Sequence, residues 1–378
     1  MRIKKKELKE KIIESLRQQG FKVNPHVRPA KNEKDTLKKV HAHKRHEQLK
    51  LHRNFLLENY KNIKKYSVDG KKLNPSDIKL KLIEVKSGSL ESDIFLWWNL
   101  IWWSVPFDRP IGRQMKFLIW DEGHNSPFGL IGLQSPPLRS SVRDEFLKLN
   151  SREDIEYWIN QSMYGQRIGA LPPYNELLGG KMVGLALTSN EVRKAYEKKY
   201  EGRKTLMKKR EIPNKLLFIT TTSAYGKSSV YERINYKDEK VSKFIGFTAG
   251  KGTFHISQEL YEEALKYLEQ KGINTERGYG TGPSRKLELL GSAFRFLDIP
   301  KFTFHNIKRG YYYFPLAKNV DNVIHKNKRA VCYNRPFNKL SDYWKERWCI
   351  PRSERTQAWK NFEADSFFNK QLSQINHL

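Results

Sequence analysis

In this chain of 378 residues, 71 Lys and Arg stand against 41 Asp and Glu, and the formal net charge of +30 calls for a polyanionic partner, nucleic acid first and an anionic membrane surface as its rival. A hydrophobic fraction of 38% with 12% aromatics suffices for a packed core and excludes a wholly disordered chain. Two cysteines, Cys332 and Cys349, exclude a disulfide framework or a four-cysteine zinc site; with a charged start at Met1–Lys6 in place of an apolar leader, they point to the cytoplasm.

The first 86 residues hold 25 Lys and Arg against 10 Asp and Glu, half of the whole excess. Lys4 to Gln19 predicts a short amphipathic helix with Leu8, Ile12, Ile13 and Leu16 on one face and Gly20 as its stop. Lys34 to Lys65 predicts one long or broken helix, apolar along Leu37, Val40, Leu51, Phe55 and Ile63 and basic elsewhere. His41, His43, His46 and His52 lie in it, and His43 and His46 share a face. Metal binding would want neutral imidazoles and a carboxylate or thiolate, whereas Lys44, Arg45 and Lys50 repel a cation. No metal site is expected; Lys44, Arg45, Lys50 and Arg53 are expected to face phosphates instead. The most apolar run, the fourteen residues from Ile94 to Phe107 with four Trp, is too short to cross a bilayer. Neither a transmembrane helix nor a membrane partner is expected.

From Leu80 the texture changes. Residues 80–85, 115–120, 128–133 and 216–222 are short apolar or β-rich runs bounded by Gly, Pro and polar clusters, and read as strands. Helical patterns at 152–159 and 175–199 separate them, which predicts a mixed α/β core over 80–256. Helices follow at Glu259–Gln270, stopped by Gly272, and at Pro283–Asp298. Phe302–Phe304 and Tyr311–Phe314 read as a hairpin. Lys318 to Lys360 carries 11 basic residues against 4 acidic, interleaved with Tyr333, Phe337, Tyr343, Trp344, Trp348 and Trp359. The expected organisation is a basic helical region at 1–79, the α/β core at 80–256, a helical and hairpin extension at 257–317 and a basic aromatic tail at 318–378.

Four constellations carry possible chemistry. In the tail, Arg335, Arg347 and Arg352 can neutralise phosphates, while the rings either stack on bases or anchor the tail to the core. Asp77 followed by Glu84 and Lys86 has the skeleton of a metal-dependent nuclease, or is an ordinary amphipathic strand. Gly169 to Lys181 brings two prolines, then Asn175 as a helix cap, then Gly179 and Gly180 within the helix. Glycines there cost about 1 kcal/mol each relative to Ala, which either a ligand or close helix–sheet packing would explain. Residues 216–234 run from a strand through Thr220–Ser223 into Gly226–Ser229 and a short helix with Tyr231. Hydroxyls at a strand end bind ligands in α/β folds, or satisfy their own turn, and Lys227 adds a cation there. The glycine spacing is not that of a Walker motif.

With these residues in view, the chain resembles the DruA family of the Druantia anti-phage defence system. The matching segments are 75–85, 103–121, 129–136, 169–181, 188–192, 219–234, 246–255 and 341–355, led by the GALPPYNELLGGK and ITTTSAYGKSSVYERI blocks. The resemblance implies a role in defence against phage DNA beside a large helicase-like protein. The order of elements also looks like the acyltransferase (GNAT) fold, in which the loop before the long helix holds a pyrophosphate and a later tyrosine donates a proton. That similarity would make Gly179, Gly180 and Lys181 cofactor-binding, and Ser223 and Tyr231 catalytic, although two prolines replace the usual Arg-x-x-Gly-x-Gly/Ala loop and no cofactor is assigned. The expectation is a DNA-binding defence protein with a GNAT-like core. Its alternatives are a nucleic-acid-modifying group-transfer enzyme using that cleft, or a metal-dependent nuclease.

Overall fold

The structure, a computed structural model, describes residues 3–24, 26–31, 33–106, 110, 112–205, 208–211, 213–276 and 285–378. Seven strands build its main sheet: β1 (Leu80–Glu84), β2 (Gln114–Asp121), β3 (Ser126–Gln134), β4 (Ser162–Ala170), β5 (Phe218–Thr222), β6 (Lys243–Phe247) and β7 (Gly310–Pro315). They lie in the order β6-β7-β5-β4-β3-β2-β1. All neighbours are antiparallel except β4 and β5, which run parallel. The fold is therefore the mixed α/β class expected.

Period-two alternation gives the sheet two buried faces. Met115, Phe117 and Ile119 of β2 join Met163, Tyr312 and Phe314 in the larger core, against the helix Gly179–Ala186 and Leu340 and Trp344 of the helix Phe337–Trp344. Leu118 and Leu130 point the other way, onto Ile94, Trp97 and Trp98 of the helix Leu90–Ile101. The Trp97 ring stacks on Phe368, 4.7 Å away, from the helix Ala364–Asn376. Trp344, Trp348 and Trp359 are all buried, so these tail rings are anchors on the core.

The N-terminal helix Lys5–Gln18 buries Leu8, Ile12 and Leu16, and Gly20 ends it at φ +91°. Those side chains pack with Leu260 and Leu268 of the helix Gln258–Glu269 and with Leu290 and Phe294 of the helix Arg285–Phe296. Chain segments more than 200 residues apart thus share a satellite core, and β7 carries the sheet past the boundary expected at residue 256. The Pro283 start of the Arg285–Phe296 helix lies outside the described residues.

Other expectations need correction. The 34–65 segment takes the broken form, Lys34–Leu51 and Arg53–Lys64 either side of His52, but its apolar line does not run through Leu51, which is 79% exposed while Leu49 and Leu56 are buried. Phe302–Phe304 makes no hairpin with β7, because β7 already bonds β5 on one side and β6 on the other. The single helix expected over 175–199 is a turn at Tyr174–Leu177, a helix Gly179–Ala186 and a helix Asn190–Lys199 capped by Ser189. Among the described residues, no helix is long and apolar enough to cross a membrane.

Candidate cleft and nucleic-acid interface

β4 and β5 pair from Ser162 opposite Phe218 to Gly165 opposite Thr221, and then part, because β4 continues to Ala170 along β3 alone. The strand ends that flank such a gap are a favoured ligand position in α/β sheets. Residues 103–105 bridge its two sides. The Trp103 ring lies against Gly169 and 4.9 Å from the Arg167 guanidinium, and Arg167 Nη1 donates to the Val105 carbonyl at 3.4 Å. Ser104 and Tyr225, three residues beyond β5, share a hydroxyl–hydroxyl bond of 2.9 Å. Arg167 is buried and also bonds Asn99. A lone arginine in a glycine-rich stretch gave no sequence signal for this role.

The Pro-Pro-Tyr block folds the chain back from β4. The Tyr174 hydroxyl donates to Asp121 Oδ2 at 2.8 Å, its ring lies 4.8 Å from Phe128, and burial together with the Asp121 charge pushes the phenol well above its ordinary pKa. Leu178, left-handed at φ +58°, ends the turn and precedes the helix. This corrects the cap expected at Asn175, whose side chain donates to Glu176 Oε1 instead. A Cβ on Gly179 would lie 2.6 Å from the Tyr174 carbonyl oxygen and 2.8 Å from Ala170 Cβ. Close packing therefore accounts for that glycine. Gly180 faces Val230, so the helix start lies beside the short helix Ser229–Glu232. Lys181 Nζ sits 4.3 Å over the Trp348 ring; burial, with Arg347 and Arg233 nearby, lowers its pKa.

The two candidate catalytic residues face inward. Tyr231 packs edge-on against Tyr312 at 5.2 Å and Phe314 at 5.6 Å, and burial raises its phenol far above the ordinary value. Ser223 donates to the Gly226 carbonyl and accepts from the Gly310 amide at 3.0 Å, which ties the turn to β7. The nuclease triad does not converge. Asp77 precedes β1 and bonds Asn74, whereas Glu84 lies at the far end of that strand, which is itself about 13 Å long at 3.3 Å per residue, and there Lys199 is its 3.9 Å partner. Lys86 follows it, exposed.

The basic candidates divide. Lys50 and Arg347 are exposed. Lys44 pairs with Glu47 at 2.8 Å, Arg53 donates to the Ile375 carbonyl at 3.3 Å, and Arg352 donates to the Glu176 carbonyl at 3.3 Å. Lys227 lies 4.5 Å over the Phe244 ring and 3.6 Å from Glu232. Arg335 corrects its expectation: it is 1% exposed, stacked 3.9 Å from Tyr333 and paired with Glu239 at 3.0 Å, so its charge does not reach the surface. Arg45 donates to the Ile101 carbonyl at 2.9 Å, and burial lowers its pKa. With Lys38, His46 and His377 it lines a cavity of about 590 Å³ between the helices Lys34–Leu51 and Ala364–Asn376, and no Asp or Glu side chain lines it.

The family described as Druantia protein DruA matches residues 31–326. A relative named Druantia protein DruA, from Escherichia coli (strain UMEA 4076-1), is 29% identical over 374 residues, covering 97% of this chain and 92% of its own. No solved structure matches. The family match spans the whole sheet, the Pro-Pro-Tyr turn and the Ser223 turn, which are the segments that set the cleft, and so the chain belongs to the DruA family of components of the Druantia anti-phage defence system.

Proposed function

We propose that this protein is the DNA-contacting component of its defence system and works beside a helicase-like partner. The observation that carries the reading is the net charge of +30, to which the cavity beside the helix Lys34–Leu51 adds Lys38 and Arg45 with no acidic side chain in its lining. Lysine and arginine bound to phosphates release condensed counterions, so affinity falls steeply with salt. With roughly six or more phosphates contacted, affinity for DNA is expected to drop on the order of 1,000-fold between 50 and 200 mM salt. Fluorescence anisotropy across that range tests it, and a flat titration sinks the reading.

The core serves this role as a GNAT-like scaffold. Support comes from the strand order, with its single parallel pair at the centre followed by the Gly179–Ala186 helix. The buried Tyr231, the Ser223 hydroxyl held by backbone and the Trp103–Val105 bridge support scaffold over catalyst. Residues 1–79 and 318–378 then supply the surfaces that reach DNA and protein partners.

A further inference from the structure

β6 is one of the two edge strands of the sheet, and its surface is unusual for an edge. Proteins blunt such edges with lysine, bulges and short strands, and keep large apolar side chains off them. Here the lysines and a bulge are present, yet so are exposed rings. The register of β6 on β7 shifts between Phe244 and Gly246. Phe247 is 42% exposed, and Phe304, bridged to Lys251 just beyond the strand, is 38% exposed.

Three of the four rings along this edge, Phe146, Phe244 and Phe304, have an ammonium beside them. Lys227 Nζ lies 4.5 Å from the centre of Phe244, which itself meets Phe247 edge-on at 5.1 Å. Lys243 Nζ lies 4.9 Å from Phe146, and Lys251 Nζ lies 5.2 Å from Phe304. Lys227 shares its charge with Glu232. Among the described residues, neither Lys243 nor Lys251 has a carboxylate within 4.0 Å. The nearest acidic side chain on the packed helix Ser141–Phe146 that is not held by Arg143 is the exposed Glu145. Flat apolar faces alternating with uncompensated cations, carried on an extended backbone, match unpaired bases joined by phosphates. A duplex hides its base faces in the stack and offers only its phosphates to such a surface.

We propose that the β6 edge, from Lys243 through Phe247 to Lys251 with Phe304, is a stacking platform for single-stranded DNA. The assignment rests on the DNA-binding reading above and narrows it to unpaired strands at this surface. The rings add sequence-tolerant stacking, and the lysines hold the backbone. Neither ring belongs to a buried core cluster, so the core is expected to fold without them.

The test compares the full-length protein with the double variant Phe247→Ala/Phe304→Ala, using a labelled oligothymidine, a blunt DNA hairpin duplex and an oligouridine of equal length, all at 50 mM salt. Thermal melting confirms equal folding. The expected result is a loss of roughly ten-fold or more for oligothymidine, with duplex affinity unchanged within about two-fold. Wild-type-like oligothymidine binding by the double variant overturns the platform, as does tighter binding to oligouridine than to oligothymidine. Duplex binding that survives in either case leaves the DNA-binding reading standing, whereas no binding to any of the three probes removes both.

Discussion

Tyr231 separates a chemical cleft from a structural one. Its ring is wedged between Tyr312 and Phe314, and burial keeps the phenol protonated at any physiological pH. Phenylalanine keeps the ring and removes one oxygen. Tyr231→Phe is therefore expected to stay within about 1 kcal/mol of wild type in stability, and to protect a culture against phage as well as wild type at equal expression. Loss of protection in a plaque assay, with the fold intact, would return the catalytic assignment. Ser223 and Gly179 point the same way. The serine hydroxyl joins two backbone groups, and the glycine is required by a carbonyl 2.6 Å from where a Cβ would stand. All three stood out in the sequence, and all three have a packing or backbone role in the fold.

At the scale of elements, the helix Lys5–Gln18 is a clamp. Leu8, Ile12 and Leu16 cover the Gln258–Glu269 and Arg285–Phe296 helices, and each such burial contributes roughly 1.5–3 kcal/mol. Deleting residues 1–20 is expected to loosen those two helices while the seven-stranded sheet stays protected, because its own core draws on none of the deleted side chains. Hydrogen exchange read by mass spectrometry checks this; unchanged protection over 258–296 would show that the clamp is dispensable. No local pattern announces such a long-range contact. What was legible was local: the strands with clean alternation, the Lys5–Gln18 helix with its glycine stop, and the short helix that carries Tyr231. β4 was not legible, since Gly165, Gln166, Arg167 and Gly169 break both alternation and hydrophobicity at the centre of the sheet. β7 was read as half of a local hairpin because its true partners, β5 and β6, are set by tertiary packing. The cleft suffered for the same reason: its glycines and hydroxyls were visible, but the Trp103–Val105 bridge comes from a segment that sequence reading left without a structure.

Over the whole molecule, acid acts on a seam between the N-terminal helices and the 254–309 segment. His41, His255 and His305 surround Phe254, with ring centres 4.3, 5.5 and 4.8 Å from it. Burial is the main cause that holds them neutral. Arg309 adds to it beside His41 and His305, and Lys286 near His255, so that the three pKa values fall to about 3, 4 and 2 respectively. The His41 Nε2 accepts from Arg309 Nη2 at 3.2 Å, and the His255 Nε2 donates to the Phe302 carbonyl at 2.6 Å. The His41 bond needs a neutral imidazole that accepts at Nε2, whereas the His255 bond tolerates protonation and only partly offsets the effect of burial. In the unfolded chain each histidine titrates near 6.5. Below that pH the unfolded state binds more protons than the folded one, so stability is full above about pH 6.5 and falls as the pH drops toward the folded values. Each histidine then removes about 1.4 kcal/mol at pH 5.5. The excess of cations worsens the fall, because each new proton joins a chain already at +30. The urea midpoint is accordingly expected to drop between pH 7.5 and 5.5. His41→Gln, whose amide oxygen can still accept from Arg309, should flatten that dependence by about one histidine's share, and a midpoint that ignores pH over this range would show that the seam does not control stability.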